Sequence, residues 1–329
     1  MGARPTPFFR QKLCGQFLSR RHFSCKPKLG RRYGLESRPT SIDGNGTYSD
    51  SFFSETALVR LRVPAVALPS VTHSSTPTYI LGVLPSRWGS TRFPGKPLHL
   101  IAGKPLIQHV WERCKKCSQL DEILVATDDE RIRNAVIAFG GKAVMTSLNH
   151  PTGTDRIAEA ARTVPQATHI VNIQGDEPLI DPALVDELAA TLAADPSLDM
   201  ATAANPIEPG DPAVQDPNVV KVAITLEGRA LYFSRSPLPF FRNPVDGLPV
   251  LRHKGIYAYR RSFLERFVTW PPSPLEMAES LEQLRALENG ASIKVLITSD
   301  TSPGVDTLEQ ALEIERLLAA ENGKLANFL

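Results

Sequence analysis

From residue 79 onward, short apolar runs alternate with amphipathic helical patterns. The runs YILGVL, EILVAT, KAVMT and HIVNIQGD are separated by stretches such as PLIQHVWERCKKC, whose apolar residues recur at helical spacing. Strands that alternate with helices build βαβ units, and such units form a mostly parallel sheet covered by helices. We therefore predict a doubly wound, Rossmann-like α/β fold over residues 77–210, with ligands at the carboxyl ends of the strands.

The pattern changes after residue 210. KVAITL, ALYFSRSPLPFF and RHKGIYAYR are typical of strands that leave and rejoin a sheet, and SFLERFVTW is typical of a helix. In PLEMAESLEQLRALENG, a single helix is predicted with Met277, Leu281, Leu284 and Leu287 on its apolar face and Gly290 as its stop. A strand, IKVLIT, and a closing helix follow. The sequence thus predicts one domain, residues 77–329, with an inserted β arm.

The charge of the chain is concentrated at its N-terminus. Residues 1–38 contain ten Lys and Arg against one acidic residue, whereas the remainder has 27 basic and 34 acidic residues. The segment FFRQKLCGQFLSRRHFS also spaces apolar residues at roughly helical intervals among its cations. These features predict an organellar targeting presequence over residues 1–38, for the mitochondrion or alternatively the plastid. The mildly acidic body argues against a nucleic-acid partner.

Residues 39–76 are rich in Ser, Thr, Pro and Gly, and we predict a disordered linker there. The most apolar part, ALVRLRVPAVALPSV, is interrupted by charges and a proline, so it falls short of the ~20 apolar residues of a spanning helix. Association with a membrane through a partner stays open.

Two of the four cysteines, Cys114 and Cys117, form CKKC in a predicted helix, and the body has no second pair that would complete a structural zinc site.

A cationic loop follows the first predicted strand. The stretch LPSRWGSTRFPGKPL, residues 84–98, contains Arg87, Arg92 and Lys96, two glycines, three prolines and no carboxylate. Glycine lets backbone N–H groups approach a polyanion, the cations neutralise it, and proline reduces the cost of ordering the loop. The loop matches neither a P-loop nor a dinucleotide fingerprint. A nucleotide triphosphate is the favoured ligand, and an ordinary solvated turn is the alternative.

Two acidic motifs lie at the ends of later strands. In NIQGDEP, Asp176 follows the fourth strand, and in GVDT, Asp306 follows the last strand and precedes a helix. Each acid taken alone fits a helix cap. Together, beside a polyphosphate, they fit a magnesium site, because Mg²⁺ takes one or two carboxylates along with substrate oxygens.

Nine motifs in order resemble one enzyme family. PSRWGSTRFPGKPL, VATDDERI, PTGTDRIAE, NIQGDEPLI, VKV, ALYFSRSPLP, RHKGIYAYR, SPLEMAESLEQLRALENG and GVDT are similar to the motifs of 3-deoxy-manno-octulosonate cytidylyltransferases, the CMP-Kdo synthetases. The resemblance spans about residues 79–318. It implies a nucleotide-diphospho-sugar transferase fold, a homodimer, and Mg²⁺-dependent transfer of CMP from CTP to 3-deoxy-manno-octulosonate (Kdo) with release of pyrophosphate.

The same resemblance implies roles for individual residues. Those implied to hold the nucleotide are Arg87, Ser90, Arg92, Lys96, Thr154 and Arg156, with Asp176, Lys96 and Arg87 as the catalytic group and Asp176 and Asp306 as the metal carboxylates. Those implied to form the sugar pocket are Gln174, Arg235, His253, Tyr257, Glu282 and Gln283. The arm around SRSPLP is implied to make the dimer contact.

The sequence departs from the family pattern at a few positions. Ser86 stands where the family usually has Ala, Thr152 where it has Ser, and Lys254 where it has Leu. The lysine is the largest change, and its side chain either reaches solvent or alters the sugar pocket or dimer contact. The remaining alternatives are a cytidylyltransferase for another acid sugar such as sialic acid, a glycosyltransferase on a similar fold, and a catalytically inactive homologue.

Overall fold

A computed structural model describes residues 77–89, 93–243 and 245–326 of the 329-residue chain. The predicted presequence (1–38) and linker (39–76) lie outside the described residues, as do Ser90 and Arg92 of the cationic loop. Both predictions therefore stay predictions.

The described residues form an alternating series of strands and helices. The strands are β1 (Ile80–Ser86), β2 (Leu100–Ile101), β3 (Lys104–Pro105), β4 (Glu122–Thr127), β5 (Lys142–Met145), β6 (His169–Asn172), β7 (Met200–Ile207), β8 (Lys221–Ile224), β9 (Ala230–Ser234), β10 (Val250–Arg260) and β11 (Ile293–Ile297). The helices are α1 (Leu106–Cys114), α2 (Glu130–Ala138), α3 (Gly153–Arg162), α4 (Pro182–Ala194), α5 (Arg261–Phe267), α6 (Pro274–Glu279), α7 (Glu282–Glu288) and α8 (Leu308–Ala326). None of these helices combines the length and the apolarity that crossing a bilayer requires.

The central sheet is largely parallel, as the sequence predicts. Its strand order is β11-β7-β10-β6-β1-β4-β5, and the pairs β11–β7, β6–β1, β1–β4 and β4–β5 are parallel. Only β10 runs against its neighbours β6 and β7. The carboxyl ends of β1 and β6 therefore meet at one edge of the sheet, where an α/β fold places its ligands.

Two apolar layers cover the sheet, one on each face. On one face, residues such as Leu81 of β1 pack with Ile157 of α3 and Phe263 of α5. On the other face, Leu84 of β1 packs with residues of α1, α2 and α4, among them Leu188. Burial of β1 on both faces explains its nearly continuous apolar sequence, because a central parallel strand has no solvated side.

The predicted β arm is a hairpin that joins the sheet through β10. Strands β8 and β9 pair antiparallel, and Lys221 of β8 pairs with Arg252 of β10. Several large apolar side chains of this region are exposed, including Leu231, Phe240 and Leu248. An exposed group of this kind is typical of a surface that another protein covers.

The single helix predicted in PLEMAESLEQLRALENG is wrong, because two short helices occupy that stretch. Helix α6 starts with a capping box between Ser273 and Glu276, and it ends at Ser280, which has a left-handed backbone with φ of 51°. The apolar face is correspondingly shorter. Leu284 is fully buried, whereas Met277 is 65% exposed because it belongs to the first, separate helix.

Candidate active site

A cavity of about 440 Å³ opens at the carboxyl edge of the sheet. Its walls come from the ends of β1 and β6, the cationic loop, the start of α3 and the segment before α8. The lining residues are Pro85, Ser86, Arg87, Lys96, Pro97, His150, Pro151, Thr152, Gly153, Arg156, Gln174, Gly175, Asp176 and Asp306. The six to which the sequence gives a role in the site are Arg87, Lys96, Arg156, Gln174, Asp176 and Asp306.

Lys96 lies at the centre of this cavity and joins the two strand-end acids. Its ammonium group donates to Asp176 Oδ2 at 2.6 Å, to Asp306 Oδ1 at 3.2 Å and to the carbonyl oxygen of Val305 at 2.7 Å. The lysine side chain is 12% exposed, and the two carboxylates are 33% and 44% exposed. The structure thus brings Lys96 and the two acids into contact, while their roles stay predictions.

The donor set at this point fits a magnesium ion bound together with a polyphosphate. Two carboxylates within reach of one ammonium group match the number of protein ligands that Mg²⁺ takes when substrate phosphates and water supply the rest. No group of three or more His, Cys, Asp or Glu side chains that could hold a metal occurs in the described part of the chain. A fully protein-built metal cage is therefore not what these residues offer.

The cationic loop is anchored by an aromatic side chain. The Gly95 N–H donates to the carbonyl oxygen of Trp88 at 3.2 Å, and the Arg131 guanidinium lies 3.4 Å from the centre of the Trp88 ring. Gly95 has φ of 71°, and a Cβ on it would lie 2.9 Å from the indole. Glycine at this position therefore gives the loop both its backbone conformation and its close packing just before Lys96.

Gly175 brings the ends of β6 and β1 together. A Cβ at this position would lie 2.8 Å from the carbonyl oxygen of Pro85 and 3.3 Å from Ile107 Cδ1. The first neighbour is a backbone atom of β1 and the second belongs to the fully buried Ile107, so an added methyl group must push the strand ends apart. The place of Gly175 in QGD, next to Asp176, predicts such a close approach.

We expect Gly175→Ala to lower the free energy of unfolding by about 1–3 kcal/mol, as overpacking typically does. We also expect kcat/KM for CTP to fall about tenfold, which corresponds to about 1.4 kcal/mol of lost transition-state binding. Chemical denaturation and steady-state kinetics measure the two effects. Gly210→Ala is the matched control, because a Cβ there meets nothing within 4 Å and the residue lies outside the cavity lining. An alanine variant at Gly175 with wild-type stability would contradict the close-approach argument.

The N-terminus of α3 forms another wall of the cavity. Thr152 caps the helix by accepting from the Asp155 N–H, and helix N-termini favour anionic ligands. Arg156, only 5% exposed, donates to Asp128 Oδ2 at 2.6 Å and to Thr146. Arg156 reaches the cavity as a fixed, paired cation, so its predicted nucleotide contact is compatible with its position.

Thr154 and two predicted sugar residues lie outside the cavity lining. The buried Thr154 hydroxyl donates to Glu282 Oε2 at 2.5 Å, and Glu282 also accepts from Arg285 at 2.8 Å. Burial raises the pKa of Glu282. Gln283, the next residue of α7, is 6% exposed. The hydroxyl of Thr154 is thus engaged within the protein, and its predicted cytidine contact stays a prediction.

His253 and Tyr257 belong to an aromatic cluster on β10. The His253 ring lies 5.0 Å from Phe233 and 5.5 Å from Tyr257, and its Nε2 is 2.9 Å from Thr202 Oγ1. Burial raises the pKa of Tyr257. Gln174 connects this strand to the cavity, since its side-chain amide donates to the Gly255 carbonyl at 2.8 Å. Gln174 alone of these residues lines the cavity.

Arg235 is held by the protein backbone. Its guanidinium donates to the carbonyl oxygens of Glu279 at 2.6 Å, Pro217 at 2.9 Å and Ser280 at 3.3 Å. These donors have partners outside the cavity lining, so the predicted contact of Arg235 with the sugar stays a prediction. In this structure Arg235 fixes the turn between α6 and α7.

The buried His169 and the half-buried His253 are expected to make the fold less stable in mild acid. Burial lowers the pKa of His253 to about 3, and burial together with Arg260 lowers that of His169 to about 4. An unfolded histidine titrates near 6.5. Between these values the unfolded chain binds protons that the folded chain does not, so stability falls as the pH drops below about 6.5. We expect Tm to decrease from pH 7.5 to pH 5 and His253→Gln to reduce that decrease; an unchanged pH slope would contradict the assignment.

The described residues match one family model over residues 81–294, and the description of that family is cytidylyltransferase. The chain belongs to the cytidylyltransferase family. A relative from Geobacter sulfurreducens named 3-deoxy-manno-octulosonate cytidylyltransferase is 52% identical over 247 residues, 71% of this chain and 98% of the relative. One of the same name from Pseudomonas syringae pv. tomato is 50% identical over 250 residues, 72% of this chain and 97% of the relative.

Solved structures of cytidylyltransferases share the fold. CMP:2-keto-3-deoxy-manno-octonic acid synthetase complexed with CTP is 45% identical and superposes with a TM-score of 0.71 over 74% of this chain and all of the other. The 4-diphosphocytidyl-2C-methyl-D-erythritol synthase from Anaerococcus prevotii is 14% identical with a TM-score of 0.50, covering 74% of this chain and 96% of that chain. The second likeness concerns the fold alone. The resemblance stated from the motifs is confirmed.

Several cavity residues of this cytidylyltransferase were missed by the sequence analysis. His150 lines the cavity and pairs with Glu159 of α3, whose pKa this contact lowers. The buried Ser86 Oγ also lines the cavity and has no hydrogen-bond partner among the described residues. For His150 the available signal was its position just before the GTDR motif, whereas the orientation of Ser86 depends on how β1 ends.

The prediction that CKKC lies within a helix is wrong for Cys117, because α1 ends at Cys114. The two cysteines of this family member are not arranged for metal or redox chemistry. Both are free thiols, with Cys114 fully buried and Cys117 half-buried. Burial raises the pKa of Cys117 to about 12 and that of Cys114 further. A thiol with a raised pKa is a poor nucleophile and metal ligand, so the CKKC motif serves packing.

Proposed function

We propose that this chain activates Kdo by transferring CMP from CTP, with release of pyrophosphate. One observation carries the proposal: in a member of the cytidylyltransferase family, Lys96, Asp176 and Asp306 converge on one open cavity beside the cationic loop. Support also comes from relatives named for this activity and a related structure complexed with CTP. A triphosphate requires such a cluster of cations with acids that attract its metal ion.

The phosphate side of the site is proposed to be the cationic loop. Arg87 and Lys96 line the cavity from this loop, and they would hold the β- and γ-phosphates and neutralise the departing pyrophosphate. Ser90 and Arg92 belong to the same loop by sequence, and their phosphate contacts remain part of the proposal. Arg156 and the N-terminus of α3 form the opposite wall, where Thr154 and Arg156 are proposed to serve the cytidine side.

Asp176 and Asp306 are proposed to hold the magnesium ion. When bound, Mg²⁺ neutralises charge on the α-phosphate and lowers the pKa of the attacking hydroxyl. Lys96 donates to both carboxylates, so it sets their spacing before the nucleotide arrives. The two acids would then exchange part of their contact with Lys96 for the metal, and the ammonium group would turn to the phosphates.

The sugar side is proposed to involve Gln174 together with the β10 and α7 residues. Gln174 lines the cavity and reaches β10, which carries His253 and Tyr257. The other proposed residues are Arg235, Glu282 and Gln283. Arg235 and Glu282 have partners within the protein, so their contact with Kdo would require an exchange of those hydrogen bonds. Gln283, next to Glu282 in sequence, is buried.

In the proposed reaction, the anomeric oxygen of Kdo bonds to the α-phosphorus of CTP while the bond to the pyrophosphate oxygen breaks. The hydroxyl proton is released, and negative charge grows on the leaving pyrophosphate. The chain aligns the two substrates and supplies positive charge where it is needed through Lys96 and Arg87. No side chain needs to form a covalent intermediate.

The deciding experiment is a pyrophosphate-release assay with residues 77–329, CTP, Mg²⁺ and a panel of acid sugars. The proposal expects release with Kdo and much slower release with sialic acid. Release with another sugar acid in preference to Kdo identifies a different cytidylyltransferase. Binding of CTP without turnover on any sugar identifies an inactive homologue.

A homodimer is proposed to form through the β arm. The exposed Leu231, Phe240 and Leu248 of this region support an interface, since large apolar side chains at a surface are commonly covered by a partner. We expect a molar mass of twice the monomer by light scattering. A monomer at micromolar concentration that still has full activity would contradict this part of the proposal.

The proposed location is the mitochondrion, with the plastid as the alternative. The support is the sequence of residues 1–38, which combines ten basic residues with one acid and helically spaced apolar residues. Fusion of residues 1–76 to a fluorescent protein tests it directly. Fluorescence that stays outside both organelles would overturn the proposal.

A further inference from the structure

A buried lysine lies directly behind the proposed metal carboxylates. Lys254 of β10 has a side chain that is only 5% exposed. Its ammonium group is 3.2 Å from Asp300 Oδ2 and 3.4 Å from Glu177 Oε2, and it donates to Ser302 Oγ at 2.9 Å. The side chain therefore reaches neither solvent nor the exposed arm, contrary to the first of the alternatives that the sequence left open.

The partners of Lys254 come from the two segments that carry the proposed metal ligands. Glu177 directly follows Asp176 in the segment after β6, and Asp300 belongs to the segment between β11 and α8 that also carries Asp306. Lys254 thus contacts both segments through Glu177 and Asp300. Lys96 contacts the carboxylates of the same two segments within the cavity.

The two segments are also in direct contact. The Val305 N–H donates to the Asp176 carbonyl oxygen at 2.8 Å, and Asn205 of β7 donates to the Asp300 carbonyl oxygen at 2.7 Å. A Cβ on Gly304 would lie 3.7 Å from the Asp176 carbonyl oxygen. With this packing, a small shift of either segment changes the distance between the two carboxylates.

Burial of a charged lysine is costly unless carboxylates compensate it, and loss of one partner leaves an unpaired buried charge. In some proteins such a cluster fixes a specific arrangement. The arrangement here is the relative position of two segments that Lys96 and the hydrogen bond from Val305 to Asp176 also join. On the assumption that Asp176 and Asp306 bind the divalent cation, we propose that Lys254 is a positioning residue that fixes their spacing and so sets the affinity of the site for that cation.

The decisive variant is Lys254→Met combined with Glu177→Gln. It removes one positive and one negative charge at nearly constant side-chain volume. The net charge next to the proposed metal site is therefore unchanged, and only the contact of Lys254 with the two segments is lost. We expect a Tm within a few degrees of wild type and about tenfold weaker Mn²⁺ binding in the presence of CTP. Electron paramagnetic resonance of free Mn²⁺ measures the binding, with CTP alone as the background. Wild-type Mn²⁺ affinity in the folded double variant overturns the proposal.

The single variant Lys254→Met separates positioning from charge. If Lys254 acted only through the electrostatic effect of its positive charge, its removal would make the metal site more negative, and Mn²⁺ would bind more tightly. The positioning role expects weaker binding. Ser302→Ala provides a milder test if the other variants fail to fold, since it removes one hydrogen bond of Lys254; binding about two- to threefold weaker supports the proposal and unchanged binding contradicts it.

Asp306→Asn distinguishes failure of this proposal from failure of the proposed metal site. If Asp306→Asn binds Mn²⁺ more weakly while the Lys254 variants bind it like wild type, the result supports the proposed metal site and refutes the positioning role of Lys254. Equal Mn²⁺ binding in wild type and Asp306→Asn removes the metal role itself. The apparent KM for Mg²⁺ provides an independent check, because a positioning defect raises it while saturating Mg²⁺ restores much of kcat.

Discussion

Replacement of Asp176 by Asn is expected to reduce kcat about 10³-fold while the fold stays intact. The change removes a negative charge from a half-exposed side chain and leaves its size unchanged, so core packing is not affected. Loss of one preorganised electrostatic contact to a transition state typically costs 10²- to 10³-fold, and a metal ligand lies at the upper end. Pyrophosphate release at saturating CTP and Kdo measures kcat, and thermal unfolding verifies the fold.

The matched control is Asp246→Asn, the same chemical change at an exposed residue outside the cavity. It is expected to leave kcat within twofold of wild type. Near-normal turnover of Asp176→Asn at saturating Mg²⁺ would remove Asp176 from the metal site. Unfolding of the variant would show that the contact with Lys96 serves stability more than catalysis.

Lys96→Ala is expected to raise the KM for CTP about 10- to 100-fold and to lower kcat, with the KM for Kdo changed less than twofold. Charge-assisted hydrogen bonds contribute about 1.5–3 kcal/mol each, and this ammonium group is the central cation of the cavity. Steady-state kinetics with each substrate varied in turn separates the two KM values.

Lys104→Ala serves as the matched control, because Lys104 is an exposed lysine whose partner is Glu112 and not a cavity residue. It is expected to behave as wild type. A selective rise in the KM for Kdo in Lys96→Ala would assign this lysine to the sugar side and refute the phosphate role.

Much of the fold followed from periodicity. The stretch EILVAT coincides with β4, and the strands and helices up to residue 207 agree with the predictions within a few residues. The strands were recognisable because buried parallel strands must be apolar on both faces. The short hairpin of β2 and β3 was not predicted, since strands of two residues leave no periodic pattern. The break at Ser280 was also missed, because a left-handed serine has no signature in the sequence.

The cluster of Lys96 with the two acids was largely predictable. Asp176 and Asp306 each follow a strand of one largely parallel sheet, so their carboxyl-edge positions bring them to the same side, and Lys96 reaches them from the first loop. The sugar side was less predictable. His253 and Tyr257 lie in an aromatic cluster, and only the packing of β10 decides which side chains face a cavity.

The amino-acid sequence alone determined the class of fold, the cationic loop and the two strand-end acids, because these depend on local periodicity and on the order of residues along the chain. The tertiary structure decided the partners of each side chain. Lys254 illustrates the difference: in sequence it is one cation in a strand, and only the packing of β10 beneath two distant segments gives it Glu177 and Asp300 as partners. The physical reason is that burial and pairing are set by contacts between residues far apart in the chain, which local patterns do not encode.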